Sequence, residues 1–500
     1  MSAPPDGWRS FAAIIADNAR AYPDKPYVIA VDQQNTALSY RELGRMTRRI
    51  ARFLAARNIA ANDRVLLLAD NTWEGMALYL GVLARGATVC TPNVEMNAAH
   101  LAEIVRALQP RLVLCQDDLA LDHLRGETAA EWFGFAAFLA ALAALPDEAL
   151  PPVNGRHDHA VIFYTSGTVA KPKGVIYTHE TLWCNFDAVA EMIGLRAEDR
   201  ILDFRSHSWI SAQEMGLGGP LTRGATVIMA RRFSATRYFD WVREHRVNIG
   251  VCVPTGINML LNRPHAARAA DMPHLRFMTS SSAPLVVEQW RAFEDLYGVP
   301  IAQGYGASEC GWIAGAHRDS RRIATVGRPI KYQDVRIVDE SGEPVPPGAT
   351  GEIETGGPQR AFGYLLPDGA IERMPARIRS GDIGYIDADG YLHVTGRAKD
   401  LIIRGGVNIA PMEIDGVLHD HPAVAEACTL GIPDPIWGEE VVAFVALKAD
   451  ARCAPADLLA HCAAKLPEFK TPKQIRFRDA LPKTSRGKLD RVALAEEWKR

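Results

Sequence analysis

Hydroxyl groups, glycines and lysines are concentrated in one short stretch of the chain, YTSGTVAKPKG at positions 164–174. The stretch directly follows the apolar run AVIF at positions 160–163. Backbone N–H groups of a glycine-rich loop, with the hydroxyls of Thr165, Ser166 and Thr168, can bind phosphate oxygens, and Lys173 can add positive charge. The pattern predicts a phosphate-binding loop at the end of a β-strand.

This loop differs from the common P-loop, GxxxxGK[ST], because Lys173 is followed by Gly174 and by no hydroxyl. By itself the stretch is equally typical of a surface loop, so its interpretation depends on the rest of the chain. After it, VIY predicts a short strand, and Thr178 can cap a helix that begins HETLW.

Apolar runs of strand length alternate with segments of helical periodicity through most of the chain. RVLLLAD at 64–70, GATVCTP at 86–92 and NIGVCVP at 248–254 are typical of buried strands, whereas YRELGRMTRRIARFLAARN has apolar residues at helical spacing. This alternation predicts α/β layers in which helices cover sheets.

The pattern of apolar and turn-forming residues changes twice toward the C-terminus. Near Pro329, short alternating strands and Gly/Pro turns in DVRIVDESGEPVPPGATGEIETGG predict an antiparallel sheet or small barrel. After VTGRAKDLIIRGG, a compact tail of about one hundred residues predicts a small α+β domain. The predicted fold class is α/β, with a large N-terminal domain at 1–399, which includes the antiparallel barrel-like part, and a C-terminal domain at 400–500.

The bulk composition excludes several classes of protein. At 500 residues, 48% hydrophobic and 23% charged, the chain is ordinary for a globular protein of two or more domains. A net charge of −3 predicts no nucleic-acid partner. The eight cysteines form no CxxC pair, which favours a reducing, cytoplasmic location. The longest apolar segment, at 133–145, is too short to span a bilayer, so we expect no integral membrane segment.

Three further stretches follow the loop in order: QGYGASECG at 303–311, RSGDIGYIDADGYLHVTGRAKDLIIRGGVNIAPMEID at 379–415, and LPKTSRGKLDR at 481–491. Together with the loop, they closely resemble the adenylate-forming superfamily of acyl-CoA synthetases, amino-acid adenylation domains and beetle luciferases. The resemblance implies a two-step ligase. A carboxylate attacks the α-phosphate of ATP and releases pyrophosphate, and a thiol such as coenzyme A then displaces AMP from the acyl-adenylate.

The resemblance also implies roles for residues around the nucleotide. Tyr305 would stack near the adenine, Ser308 would contact the α-phosphate, and Glu309 would bind Mg²⁺. Asp382 would accept hydrogen bonds from the ribose hydroxyls, and Arg397 would reach the ribose or a phosphate. The other nucleotide-binding positions are Thr165, Ser166, Gly167, Thr168 and Lys173 in the phosphate loop, Ser282, Ala283 and Pro284 beside the adenine, and Gly304 and Gly306.

The C-terminal motifs imply a mobile domain. Lys488 would bridge the incoming carboxylate and the α-phosphate as negative charge gathers there. Asp400 matches the hinge about which the small domain of similar enzymes rotates between the two half-reactions. Gly405 and Gly406 would line the channel for the pantetheine arm, because missing side chains let a thin ligand pass.

The phosphate loop departs from the family pattern Thr-Thr-Gly-x-Pro-Lys-Gly. Here Val169 and Ala170 replace a hydroxyl residue and a glycine. Val169 is restricted at χ1, and Ala170 disfavours a positive φ. We expect weaker ATP binding or a less mobile loop, with the reaction preserved.

The acyl pocket is predicted from DFRSHSWISAQEMGLGGPL, at 203–221, where relatives have Phe-His at the pocket mouth. Counting back from Gly224 without gaps places Trp209 at the usual histidine, whereas one gap places His207 there. Either residue can act as an aromatic gate beside the reacting group, and the sequence does not choose between them. His179, in YTHETL, has a structural role by this interpretation.

Polar residues near the predicted pocket indicate which kind of carboxylic acid the protein binds. Ser281 and Ser282 occupy glycine-like positions and polarise one wall, which argues against a long straight alkyl chain. Arg205 either binds a second acidic group of the substrate or forms a surface ion pair. Ser211 stands where amino-acid-activating relatives have Asp, and Glu214 keeps that option open.

The leading function is therefore an AMP-forming carboxylate–CoA ligase that uses ATP, Mg²⁺ and coenzyme A. Two alternatives remain open at this point: an enzyme that loads the phosphopantetheine of a carrier protein, and a degenerate relative that only binds nucleotide. The sequence names neither the acid nor the oligomeric state, for which a homodimer is one option.

Overall fold

In the computed structural model, which describes residues 7–164, 173–483 and 489–499, the chain forms fourteen α-helices. They are α1 (Phe11–Ala21), α2 (Tyr40–Ala55), α3 (Trp73–Arg85), α4 (Ala98–Leu108), α5 (Phe135–Ala143), α6 (His179–Met192), α7 (Ile210–Gln213), α8 (Gly219–Arg223), α9 (Tyr238–Glu244), α10 (Pro254–Asn262), α11 (Val287–Tyr297), α12 (Pro411–His419), α13 (Pro455–Lys465) and α14 (Arg491–Trp498). A π-helical turn, Glu214–Gly218, joins α7 to α8.

The described residues also form twenty-seven β-strands. The first thirteen are β1 (Pro26–Ala30), β2 (Thr36–Ser39), β3 (Arg64–Leu68), β4 (Thr88–Thr91), β5 (Leu112–Cys115), β6 (Glu131–Gly134), β7 (His159–Tyr164), β8 (Gly174–Thr178), β9 (Arg200–Asp203), β10 (Thr226–Met229), β11 (Ile249–Cys252), β12 (Phe277–Ser280) and β13 (Ile301–Gln303). The others are β14 (Tyr305–Ala307), β15 (Gly311–Gly315), β16 (Arg328–Pro329), β17 (Asp334–Val338), β18 (Gly351–Gly356), β19 (Gly363–Leu365), β20 (Ile371–Arg373), β21 (Arg377–Ile386), β22 (Leu392–Arg397), β23 (Ile402–Arg404), β24 (Val407–Ile409), β25 (Val424–Asp434), β26 (Gly438–Leu447) and β27 (Gln474–Phe477).

Two large, mostly parallel sheets form the centre of the N-terminal part. A seven-stranded sheet has the order β13-β12-β11-β9-β10-β1-β2, and only the edge strand β2 is antiparallel to its neighbour. An eight-stranded sheet has the order β20-β19-β8-β7-β4-β3-β5-β6, in which β7, β4, β3, β5 and β6 are parallel. Parallel sheets are buried on both faces, which explains why their strands read as continuous apolar runs.

Smaller antiparallel sheets follow. β14, β15 and β16 form one, which the sequence did not predict. β17, β18, β21 and β22 form a second, as the Gly/Pro-rich pattern after Pro329 predicts. After position 400, β23 to β27 form a five-stranded sheet that packs with α12, α13 and α14. The predicted α/β class, with an antiparallel part and an α+β tail, is confirmed.

The largest hydrophobic core lies between the two large sheets and joins them. It buries residues from both sheets, for example Val28, Ile201, Val65 and Val161, together with residues of α1, α2, α3 and α6. Separate clusters cover the outer face of each large sheet. Each fully buried large apolar side chain contributes roughly 1.5–3 kcal/mol. In the part of the chain that the structure describes, no helix combines the length and apolar character needed to cross a membrane.

The segment after the phosphate loop folds as its sequence predicts. β8 pairs with β7 in an antiparallel hairpin, with Tyr164 opposite Gly174. The side chain of Thr178 accepts a hydrogen bond from the backbone N–H of Thr181 at 3.1 Å and so caps α6. His179, the first residue of α6, is buried against Phe11, in keeping with its expected structural role.

Burial lowers the pKa of His179 to about 4, so this imidazole is neutral in the folded protein at neutral pH. The unfolded chain, with an ordinary histidine pKa of about 6.5, binds more protons between pH 6.5 and 4. The free energy of unfolding should therefore fall as pH decreases through that window, and His179→Gln should reduce the slope. Urea unfolding at several pH values measures the slope. The exposed His123→Gln variant is the matched control, and a His179→Gln slope equal to the control's would contradict the expectation.

Candidate active site

The carboxyl ends of the two large sheets meet at one place. Asn71, which follows β3, donates a hydrogen bond from Nδ2 to the backbone oxygen of Arg205, which follows β9, at 2.8 Å. Gln213, in α7, donates from Nε2 to Oγ1 of Thr91, the last residue of β4, at 2.9 Å. Ligands of parallel α/β sheets bind in the crevice outside the carboxyl ends of the strands. The geometry therefore places the candidate site where these two edges face each other.

The phosphate loop leaves β7 at this same edge. Thr165, Ser166, Gly167 and Thr168, and with them Val169 and Ala170, lie outside the described residues. Lys173, at the far end of the loop, is described. Its Nζ lies 3.7 Å from Glu372 Oε2 and 5.1 Å from the centre of the Tyr364 ring. This lysine is therefore on the side of the site where β19 and β20 extend the eight-stranded sheet.

Glu309 and Ser308 lie in the turn between β14 and β15 and are held by the neighbouring sheet. Tyr364, in β19, donates from its hydroxyl to Glu309 Oε1 at 2.7 Å. The backbone N–H of Ala361 donates to the backbone oxygen of Glu309 at 2.7 Å, and Tyr177 donates to that of Ser308 at 2.9 Å. These contacts bring Glu309 close to Lys173 through the shared neighbour Tyr364.

Over residues 7–164, 173–483 and 489–499, no group of three or more His, Cys, Asp or Glu side chains is arranged to hold a metal ion. Glu309 therefore belongs to no such group among the described residues. It shares the neighbour Tyr364 with Lys173, which ends the predicted phosphate loop. This chemistry fits a hard cation that shares its ligands between one carboxylate and phosphate oxygens.

Asp382 is the centre of a three-residue contact. Tyr305 donates from its hydroxyl to Asp382 Oδ2 at 2.7 Å, and Arg397 donates from Nε to Oδ1 at 3.1 Å. Asp382 and Arg397 are paired across β21 and β22. Burial, with the neighbouring Asp382 charge, raises the pKa of Tyr305 well above its ordinary value. The structure thus brings together three residues that the sequence assigns to the nucleoside, and each carboxylate oxygen faces a donor.

The predicted adenine-side segment runs beside this contact. The backbone N–H of Gly304 donates to the oxygen of Ser280 at 2.9 Å, and Gln303 Nε2 donates to the oxygen of Ala283 at 3.4 Å, just before Pro284. Ser282 has φ +73°, a left-handed conformation that favours glycine. The expectation that serine occupies a glycine-like position here agrees with this backbone geometry.

Two predicted glycines have a steric reason to be glycine. A Cβ on Gly304 would lie 2.3 Å from the Trp312 ring. A Cβ on Gly306 would lie 2.4 Å from the backbone oxygen of Gly311, across the β14–β15 hairpin. Trp312 itself is buried in the core between the sheets.

Arg205 forms an ion pair, but the pair is buried rather than at the surface. Its Nη2 lies 2.7 Å from Asp203 Oδ2, and its Nε lies 3.0 Å from Oδ1. Nη2 also donates to the backbone oxygen of Ser211 at 3.0 Å. Both charged side chains are almost completely inaccessible to water. The surface location considered for this pair is therefore wrong, since Asp203 at the end of β9 supplies the partner inside the protein.

His207 and Trp209 lie on the same loop in different settings. The backbone N–H of His207 donates to Asn71 Oδ1 at 3.0 Å, and its oxygen accepts from Gln213 Nε2 at 2.7 Å. Burial lowers the pKa of His207 to about 4. The side chain lines a small cavity with Tyr79. Trp209 precedes α7, and its backbone N–H donates to the oxygen of Ser206. The assignment of either His207 or Trp209 as the aromatic gate at the pocket mouth stays a prediction.

Glu214, in the π-helical turn, is fully buried, and burial raises its pKa well above the ordinary carboxyl value despite the nearby Arg205 guanidinium. From the sequence, Glu214 was considered only as a partner for the ammonium group of an amino-acid substrate. Sequence reasoning missed Trp312 and Tyr364 completely. Trp312 lies three residues beyond Glu309, so its proximity to that motif is the one signal available. Tyr364 carries no signal, because its contact with Glu309 spans 55 positions.

In the C-terminal part, the turn between β23 and β24 contains Gly405 and Gly406, both with positive φ. The backbone N–H of Gly405 donates to the oxygen of Trp437 at 2.8 Å. Asp400 lies in a short 3₁₀ turn directly before β23. Lys488 lies outside the described residues.

Two family models match the chain: AMP-binding enzyme over residues 15–365, and AMP-binding enzyme C-terminal domain over residues 413–488. The chain therefore belongs to the AMP-binding enzyme family, and the predicted resemblance to adenylate-forming enzymes is confirmed. It is an acid–thiol ligase, which activates a carboxylic acid and transfers the acyl group to coenzyme A.

Curated relatives align over almost the whole chain. A sulfoacetate–CoA ligase from Cupriavidus necator is 36% identical over 511 residues, covering 98% of each chain. A feruloyl-CoA synthase from Amycolatopsis is 32% identical over 469 residues, covering 93% of this chain and 94% of the relative. Among solved structures, ATP-bound MatB from Rhodopseudomonas palustris matches with a TM-score of 0.87 at 26% identity, covering 98% of this chain and 99% of that one.

The buried ion pair makes a direct stability prediction. Asp203→Asn keeps the shape of the side chain but leaves the Arg205 guanidinium without its counter-charge, and should lower the free energy of unfolding by about 3–5 kcal/mol. Adding Arg205→Met removes the unpaired charge and should recover part of that loss. Equilibrium urea unfolding measures both variants.

The matched control is Asp122→Asn, which breaks an exposed pair with Arg125 and should change the free energy of unfolding by less than about 1 kcal/mol. A double variant that is no more stable than Asp203→Asn alone would contradict the expectation.

Proposed function

We propose that this ligase activates a compact carboxylic acid that carries a second polar group, by way of an acyl-adenylate. One observation carries the proposal: the segment between the two sheet edges buries three ionisable side chains. Asp203, Arg205 and Glu214 are each at most 2% exposed. The Trp312 ring packs against Gly304 nearby, and we propose that it limits the length of the acid.

The relatives support this choice of acid. The relative from Cupriavidus necator acts on sulfoacetate, a two-carbon acid with a sulfonate at its other end. The relative from Amycolatopsis acts on ferulic acid, which is longer and aromatic. An aryl acid is the second candidate here, and the aromatic residues His207, Trp209 and Trp312 near the pocket are what favour it.

In the first half-reaction, the chain's own residues position the nucleotide and neutralise charge. Asp382 is proposed to exchange its Tyr305 and Arg397 donors for the ribose hydroxyls, or to share them. Lys488 is proposed to bridge the acid's carboxylate and the α-phosphate as charge develops there. Tyr364 holds the carboxylate of Glu309 in one orientation. A Mg²⁺ ion held by Glu309 and phosphate oxygens would neutralise charge on the phosphates.

In the second half-reaction, the small domain is proposed to turn about Asp400 and to present Gly405 and Gly406 to the pantetheine arm. Exposed apolar side chains surround that turn, including Ile403, Val407 and Trp437. They suit the apolar part of the arm and are otherwise costly to leave in water. We also place the enzyme in the cytoplasm, because all eight cysteines are unpaired thiols.

A panel of acids tests the proposal. AMP release and thioester formation are measured with sulfoacetate, malonate, propionate, ferulate and decanoate, each with free coenzyme A and with a phosphopantetheinylated carrier protein. We expect kcat/KM for an acid with a second polar group to exceed that for propionate by about tenfold or more, since a buried polar wall discriminates strongly. Coenzyme A should be the better acceptor.

The Lys488→Ala variant tests whether AMP release comes from this site. Lys499→Ala, which removes an exposed ion pair, is the matched control. Preference for ferulate would favour the aryl candidate. Preference for decanoate would contradict a compact pocket. Absence of AMP with every acid would contradict the proposed function.

A further inference from the structure

Three buried polar atoms near the acid pocket have no hydrogen-bond partner among the described residues: Glu214 Oε1, Ser281 Oγ and Trp312 Nε1. The side chains are at most 3% exposed. Buried polar groups in folded proteins are normally paired, and each unpaired group lowers stability. Three such atoms in one region of a protein therefore indicate a place where another molecule supplies the partners.

Glu214 and Trp312 are direct neighbours. The Trp312 indole lies close enough to Glu214 to favour the ionised carboxyl, although the two groups make no regular hydrogen bond. α7, which directly precedes Glu214, packs against β15, which carries Trp312. The carboxyl of one residue and the N–H of the other are thus next to each other.

Ser281 lies near these two residues, directly after β12 of the seven-stranded sheet. Thr279 Oγ1, in β12, donates to Met215 Sδ at 3.6 Å, and Met215 directly follows Glu214. Ser281 lies two residues beyond Thr279, directly after the end of β12. The backbone N–H of Gly304 bonds to the oxygen of Ser280, and Gly304 contacts the Trp312 ring. The three unpaired atoms therefore belong to residues in one buried region of the protein.

The local backbone is built to present Glu214 here. The π-helical turn Glu214–Gly218 interrupts an otherwise continuous helix from α7 to α8, and such turns are frequently found at functional sites. Gly216 within it is required, because a Cβ would lie 2.6 Å from Asp203 Oδ2. The turn therefore packs directly on the Asp203–Arg205 pair and holds Glu214 next to it.

The charges in this region restrict the kind of chemical group that can bind there. Asp203 already balances Arg205, so the pair contributes no net charge. Burial raises the pKa of Glu214 well above the ordinary range, which favours the protonated carboxyl, and a protonated carboxyl can donate a hydrogen bond. Ser281 and Trp312 also carry donors. The lining is neutral overall and rich in donors, which suits a group with several oxygen acceptors.

We propose that Glu214, Ser281 and Trp312 form the subsite that reads the second polar group of the acid, and that this group is an oxygen acceptor such as a sulfonate or a carboxylate. The inference rests on the proposed function, since it assigns residues to the far end of that substrate. Glu214 is the specificity-determining residue, and it acts as a neutral hydrogen-bond donor.

The test compares two probes, sulfoacetate and propionate, which differ in the second group. For wild type, Glu214→Gln, Glu214→Leu and Ser281→Ala, kcat/KM is measured with each acid, and their ratio gives selectivity. Gln keeps a donor and the shape, so its ratio should stay within about threefold of wild type. Leu removes the donor, so its ratio should fall by about tenfold or more. Ser281→Ala should lower the ratio in the same direction.

Activity with propionate reports that each variant is folded, and the exposed Glu191→Leu is the matched control. If wild type prefers sulfoacetate but neither Glu214→Leu nor Ser281→Ala changes the ratio, this inference is overturned while the proposed function stands. If Glu214→Gln behaves as Glu214→Leu, the donor role is overturned. If wild type forms AMP with no acid, the proposed function fails first.

Discussion

The burial of the Asp203–Arg205 ion pair is the interaction on which the site depends. It lies at the carboxyl end of β9, where the edges of the two large sheets meet. The residues around the pair accommodate it. Ser211 accepts a further hydrogen bond from the guanidinium, and Gly216 leaves room for the carboxylate. The π-helical turn places Glu214 beside the pair. A charge pair without water in this position needs polar partners that satisfy its hydrogen bonds, and we propose that these partners form one wall of the acid pocket.

The nucleotide side is built differently, from hairpins that reach between sheets. The β14–β15 turn carries Glu309, and β19 supplies Tyr364 to hold it. The β21–β22 pair supplies Asp382 and Arg397 in register. Charged groups here are partly accessible and pair with each other, so substrate hydroxyls and phosphates can replace or join those partners. The proposed acid wall is buried, whereas the proposed nucleotide wall is partly accessible and can exchange its contacts for those of a substrate.

The sequence alone predicted the α/β layers, the antiparallel part and the tail, because strand and helix periodicities follow directly from which faces are buried. It also identified Asp382, Tyr305 and Arg397, which the structure brings together, since each belongs to a motif with fixed spacing. Tyr364 and the buried setting of Arg205 were missed. Contacts between distant strands and the depth of a loop depend on tertiary packing, which local pattern does not encode.

Oxygen transfer tests the adenylate route most directly. The preferred acid is labelled with ¹⁸O in its carboxylate, turned over with ATP and coenzyme A, and the products are analysed by mass spectrometry. Attack on the α-phosphorus leaves a carboxylate oxygen on that phosphorus, so AMP should carry one ¹⁸O atom and pyrophosphate none. Label in pyrophosphate or orthophosphate, or unlabelled AMP, would contradict the account.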